Sequence, residues 1–166
     1  MAVENKYVTT EWAAATKAYA QNLKAQGAQV VVLATTFEVA AADDNGSIYR
    51  VFSNVPSNYV PLEIKVCNDA LTGGTDWDLG VYKPELGDVV EVDILADGLD
   101  LSSSSTVIAP KNGMLSVDLA NIGKKLWELV GSTILNKAPS YDIALTANTV
   151  GSGAGTVTVI AKFANP

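Results

Sequence analysis

Along the first segment of the chain, residues 11–26, Trp12, Thr16, Tyr19 and Leu23 recur at spacings of three to four within an Ala-rich background. This spacing predicts a narrow helical stripe, with Thr10 as a candidate N-cap and Gly27 just past the end. About four turns fit in that length. So thin a stripe buries little by itself, so the segment is expected to dock. Two readings stand for residues 1–28: a helix or extended arm lying on its own domain, or one reaching a neighbouring subunit.

From Gln29 the period changes. Val30, Val31, Val32 and Leu33 begin a β-branched run that continues through Thr35, Thr36, Phe37 and Val39. Asp43-Asp44-Asn45-Gly46 carries the Asn-Gly pair that favours two-residue hairpin turns, and residues 47–52 are expected as the return strand. Residues 59–68 place Val60, Leu62, Ile64 and Val66 on one face, with Glu63 and Lys65 on the other. Cys67, in the same apolar segment, is expected to be buried and inert. Trp77, Leu79 and Val81 alternate over residues 76–82, and residues 88–95 suggest a short strand before a Ser-rich loop. A helix is predicted from Leu119 through Ile122, Leu126, Leu129 and Val130, capped by Asp118 and stopped by Gly131. Gly123 weakens that helix by about 1 kcal/mol relative to Ala. Residues 141–149 and 156–163 close the chain as two strands, expected to form an antiparallel hairpin across the Gly-rich residues 150–155. The sum is a mainly β chain. It is expected to form an antiparallel, jelly-roll-like β-sandwich over residues 29–166, with one late helix and an N-terminal arm.

Composition narrows the chemistry. The chain has 166 residues, 48% of them hydrophobic and 17% charged, which suits one domain with one core. It has no His and a single Cys, which excludes Ser-His-Asp and Cys-His catalysis, most zinc sites and any internal disulfide. The net charge of −7 argues against nucleic acid as a partner. That charge is unevenly spread. Residues 31–101 hold thirteen acidic and three basic residues, whereas the segments on either side are slightly basic. No signal peptide or bilayer-spanning stretch is read from the chain.

Three segments or clusters suggest chemistry. Gly151-Ser152-Gly153-Ala154-Gly155 lacks the following helix and the Lys-Ser/Thr of a phosphate loop, and a strand pattern follows it instead. Asp76 and Asp78, with Asp93, Asp97 and Asp100, invite a calcium site. No segment has the EF-hand order, however, and Asp43-Asp44-Asn45-Gly46 fits turn chemistry better. Paired carboxylates, with Trp12, Trp77 and Trp127 as possible sugar platforms, raise glycosidase chemistry, but two of these Trp fall at core-like positions and nothing in the sequence brings two acids into a cleft. Trp127 is expected to pack against the sheet, and Lys124 and Lys125 to be solvated. No catalytic, cofactor or metal residue is assigned.

Five strings occur in a fixed order. They are Asp43-Asp44-Asn45-Gly46-Ser47-Ile48-Tyr49-Arg50; Asn68-Asp69-Ala70-Leu71 with Thr75-Asp76-Trp77-Asp78-Leu79-Gly80-Val81-Tyr82; Val92-Asp93-Ile94-Leu95-Ala96-Asp97-Gly98-Leu99-Asp100-Leu101; Lys125-Leu126-Trp127-Glu128-Leu129; and Tyr141-Asp142-Ile143-Ala144-Leu145-Thr146. Together, over residues 38–163, they resemble small β-sandwich virion proteins of tailed bacteriophages, the cement or decoration proteins that bind the outside of the head. The resemblance implies a non-enzymatic protein without cofactor. It would be made in the host cytoplasm and carried on the capsid exterior, stabilising contacts between capsid subunits. Its implied partners are the major capsid protein and further copies of itself, as a homodimer or homotrimer, with no membrane or nucleic acid. In that setting Trp12, Tyr19 and Leu23 become the candidate capsid or subunit interface. The alternative from another class is a carbohydrate-binding or adhesive β-sandwich module, suggested by loop Asp and Asn residues and three Trp.

Overall fold

The structure is a computed structural model describing residues 29–84, 87–105 and 121–165, together with the backbone of residues 5–7. Eight strands are described: β1 (Asn5–Tyr7), β2 (Gln29–Val39), β3 (Ser47–Pro56), β4 (Val60–Asn68), β5 (Asp76–Tyr82), β6 (Val89–Leu99), β7 (Ser140–Thr149) and β8 (Gly155–Asn165). They form a five-stranded sheet in the order β1-β3-β7-β5-β6 and a three-stranded sheet in the order β2-β8-β4. The pairings are antiparallel, except that β1 runs parallel to β3 at residues 48–50. This is a β-sandwich, as the alternation predicts.

The core lies between the sheets. Val31, Leu33, Phe37 and Val39 of β2, with Val157, Val159, Ala161 and Phe163 of β8, face Tyr49, Trp77, Leu79, Ile143 and Leu145 from the larger sheet. Phe37 stacks on Tyr49 with ring centroids 5.0 Å apart, and Tyr49 leans on Trp77 at 5.5 Å. The Phe37–Tyr49 contact joins the two sheets beyond simple area burial, and Tyr49–Trp77 braces the larger sheet beneath it.

Both expected hairpins are corrected. β2 and β3 flank the Asn-Gly turn yet belong to different sheets, and so do β7 and β8 on either side of the Gly-rich link. The turn chemistry itself is present. The Ser47 amide donates to the Asp44 carbonyl at 3.1 Å, and Asp43 Oδ2 accepts from the Ala40 amide at 3.0 Å and the Tyr49 hydroxyl at 2.5 Å. These bonds build a corner over the end of the core. Each strand then pairs with a distant partner, β2 with β8 over its whole length and β3 with β7.

Three smaller expectations also change. A bulge between Pro61 and Glu63 turns Leu62 out to solvent, where strict alternation had placed it inward. Cys67 is half-buried and not fully enclosed, because β4 presents it on the face away from the core. The late helix is a single turn, Leu126–Leu129. Lys125 is extended at φ −71°, ψ 156°, and its amide donates to the Glu128 carboxylate at 2.7 Å, so the helix starts there. Gly123 upstream sits at φ +83°, outside any right-handed helix. Residues 106–120, including Asp118 and Leu119, lie outside the described residues.

The Ser-rich stretch is better anchored than its composition suggests. Asn68 Nδ2 donates to the carbonyls of Leu101 at 2.8 Å and Ser103 at 3.1 Å, and Ser105 bridges to Asn68. The strand before it, β6, runs on to Leu99. At Gly80 a Cβ would stand 2.2 Å from the Val92 carbonyl oxygen, so only glycine lets β6 fold this closely across β5.

Candidate interaction surface

Two ends of the sandwich differ in chemistry. The turns at residues 40–46, 69–75, 99–105 and 150–154 are tied together: the Val150 amide donates to Asn45 Oδ1 at 3.0 Å, the Ser152 amide to the Thr72 carbonyl at 2.8 Å, and the Leu71 amide to the Leu101 carbonyl at 3.0 Å. The opposite end carries the β3–β4 turn, the β5–β6 loop and residues 121–139, where the Leu126 amide donates to Tyr59 and the Ser57 amide to Pro139.

Around the first end, residues 38–49, 66–82, 92–105 and 143–161 hold nine carboxylates and no Lys or Arg. Most of these acids that have described partners are used structurally. Asp43 staples the corner, Asp69 Oδ2 accepts from the Thr156 amide at 3.1 Å, and Asp100 Oδ1 accepts from Ser102 at 2.8 Å. Asp78 accepts from Asn148 Nδ2 at 2.6 Å and from the Gly98 amide at 2.9 Å. Asp97 lies beside it, and the Asp78 charge, followed by burial and then Asp93, raises the Asp97 pKa above its ordinary value. The acids weighed as calcium ligands are thus partly gathered, as Asp76, Asp78, Asp93 and Asp97. Even so, no group of three or more His, Cys, Asp or Glu arranged to hold a metal occurs among the described residues. An open recess of about 400 Å³ lies between Asp43, Asp44 and Asn45 on one side and Val150 and Gly151 on the other.

The opposite end is apolar and lysine-bearing. The exposed large aliphatic side chains among the described residues are Val30, Val32, Leu62, Val89, Ile122, Ile134 and Leu135. Ile122, Ile134 and Leu135 lie in residues 121–139 and Val89 follows the β5–β6 loop, whereas Val30, Val32 and Leu62 lie on the smaller sheet. No aromatic ring stands among them: Trp77 is enclosed in the core, and Trp127 packs partly against it with Lys137 Nζ 5.5 Å from its ring centroid. Lys124, Lys125 and Lys137 lie here too, and in the β5–β6 loop Lys83 pairs with Asp88 at 3.3 Å, with Glu91 exposed just beyond. Along the outer face of the smaller sheet, Glu63 pairs with Lys162 at 2.6 Å and Lys65 at 2.9 Å, which lowers its pKa. The larger sheet hides its own polar cluster. Arg50 sits 3.8 Å from Asp142, donates to the Gly87 carbonyl at 3.0 Å and lies over the Tyr82 ring at 5.1 Å, with Arg50 and Asp142 both buried. Sequence reasoning singled out neither the aliphatic knob at Ile134 and Leu135 nor this buried pair. The signal for the knob was available, since Ile-Leu between Thr133 and Asn136 is unusual turn chemistry.

Trp12, Tyr19 and Leu23, the candidate interface residues, lie outside the described residues. No helix among the described residues is long and apolar enough to cross a membrane.

No protein-family model matches the sequence, and no curated protein does either. Solved structures do resemble the fold. One is a chain of the capsid asymmetric unit of cyanophage Pam1, with 14% identity, a TM-score of 0.47, and coverage of 84% of this chain and 86% of that one. Another is a chain of the capsid of Ralstonia phage GP4, with 17% identity, a TM-score of 0.46, and coverage of 82% and 85%.

Proposed function

We propose that the protein is a non-enzymatic virion structural protein that binds the outside of a phage head and stabilises contacts between capsid subunits. The observation that carries this reading is the division of the surface. One end is acidic and built from turns; the other presents aliphatic side chains and lysines. A cement protein needs such a division: a solvent-facing pole that keeps the particle soluble and a pole that adheres. The five strings of the resemblance fall on the β2–β3 corner, on β5, β6 and β7 with the turn before β5, and on the single-turn helix, so they trace the scaffold itself. The chain's passage from sheet to sheet at β2–β3, β3–β4, β4–β5 and β7–β8 supports a jelly-roll winding.

Stabilisation follows from mass action. A protein that binds only the assembled shell favours that shell by an amount set by its free concentration relative to Kd. Symmetry repeats the contact at every equivalent position, so modest single contacts sum to a shell that resists internal pressure. Self-association into a homodimer or homotrimer on the capsid exterior belongs to the same proposal. The carbohydrate-binding alternative has less to support it, because sugar platforms are usually exposed aromatic rings and the described exposed side chains of this size are aliphatic.

The test is addition of purified protein to expanded, undecorated heads. Stoichiometric binding with raised thermal resistance of the heads is expected. Absence of binding at micromolar concentration, or recognition of specific glycans on an array, would count against the proposal.

A further inference from the structure

We infer that the turn Thr133–Asn136, with the lysines around it, is the adhesive element of the end opposite the acidic turns, and that it docks into an apolar recess rimmed by carboxylates on the capsid shell. This rests on the reading of the protein as a shell-binding one. Ile134 and Leu135 occupy the two central positions of the turn and are 71% and 95% exposed. Such positions ordinarily hold Gly, Asn, Asp or Ser, whose side chains favour solvent and turn geometry. Here the turn is held by other means. The Thr133 amide and hydroxyl both donate to Asn136 Oδ1, at 2.7 and 2.9 Å, and the Lys137 amide donates to the Thr133 carbonyl at 2.9 Å. The Ser132 amide anchors the turn to the Trp127 carbonyl at 2.9 Å, and Trp127 itself packs on the core. The two aliphatic side chains therefore stand on a backbone ordered before binding, and little conformational freedom is lost when they are covered.

Charge selects the occupant. Residues 121–139 carry Lys124, Lys125 and Lys137 against a single Glu128, whose carboxylate is engaged by the Lys125 amide. A partner whose apolar recess is edged with carboxylates complements this rim. The same partner is repelled by the opposite pole with its nine acids, so encounter is oriented before contact. Lysines beside aliphatic side chains also suit an anionic bilayer. The described exposed set, however, lacks the Trp and Tyr that anchor proteins at membrane interfaces, and a short stiff turn fits a preformed recess better.

The experiment compares the whole protein with two variants on expanded, undecorated heads. The double variant Ile134→Ser, Leu135→Ser changes solvent-exposed side chains only, and its melting curve should overlay that of the parent. Its affinity for heads should fall on the order of tenfold or more, as for a central hot spot. Ala154→Asp, on the exposed link at the acidic pole, should bind as the parent does. If the parent binds and the double variant binds equally well, this inference falls and the proposed function stands. Failure of the parent to bind overturns both. Parent protein that prefers phosphatidylserine vesicles to heads, or a double variant that loses self-association while keeping its affinity for heads, also overturns the inference.

Discussion

At the scale of single residues, the buried Arg50–Asp142 pair is the most exposed to test. Both side chains are enclosed, and Asp142 Oδ1 also accepts the Asn54 amide at 2.7 Å, so loss of Arg50 leaves a buried carboxylate without its counter-charge. Arg50→Ala should cost about 3–5 kcal/mol in urea unfolding, while Arg50→Met combined with Asp142→Asn should cost less than the single change. Nothing in the sequence marked Arg50 as buried, because its enclosure depends on the Gly87 carbonyl, 37 positions away. Asp97 behaves oppositely. Its pKa is raised, first by the Asp78 charge, so the folded state holds this proton more tightly than the unfolded chain does. Its favourable contribution is complete at acid pH, below the unfolded value, and is lost as pH rises through the folded value. Asp97→Asn should therefore raise Tm at pH 7, with the gap closing as pH falls into the carboxylate range. Melts across pH measure this. Glu63 has the reverse sign, since Lys162 and Lys65 lower its pKa. Glu63→Gln should slightly reduce Tm near neutrality and make no difference once the native carboxyl is protonated.

Among the elements, the positions of the strands were legible and their partners were not. Alternation located β2, β4, β5 and β8 within a residue or two, because a half-buried strand writes its two faces directly into the order of residues. Turn signals are local. Asn45-Gly46 reports that the chain reverses, and the same reversal serves a hairpin or a corner between sheets. Which one forms is decided by the fit of β8 between β2 and β4, information spread over more than a hundred residues. Close approach is similarly silent in the sequence. Gly80 reads as an ordinary small residue in a strand, yet the Val92 and Glu91 carbonyl oxygens stand 2.2 and 2.3 Å from where its Cβ would lie. Gly80→Ala should destabilise the fold by about 3 kcal/mol or more, because backbone atoms of a paired strand cannot move aside cheaply. Chemical denaturation gives the size of the loss, and amide exchange should show it centred on β5 and β6.

For the whole molecule, the uneven charge was visible along the chain but its geometry was not. Nine of the thirteen acids in the middle of the sequence gather at one pole only because four separate turns converge there. The exposed aliphatic side chains were missed, since Val30, Leu62 and Ile134 belong to unrelated segments whose exposure is decided by the fold. Deletion of residues 1–28 should leave a cooperatively unfolding sandwich and weaken self-association, measured by light scattering and thermal melts. It would also remove β1, so a modest loss of Tm from the exposed edge of β3 is expected. The order of strands in the smaller sheet has a further consequence for biosynthesis. β8 is the middle strand there, and among the described residues neither β2 nor β4 has another partner in its sheet. Neither strand can therefore meet this partner before residues from 155 onward are synthesised, so the nascent chain carries two sticky, unmatched β segments until β8 emerges.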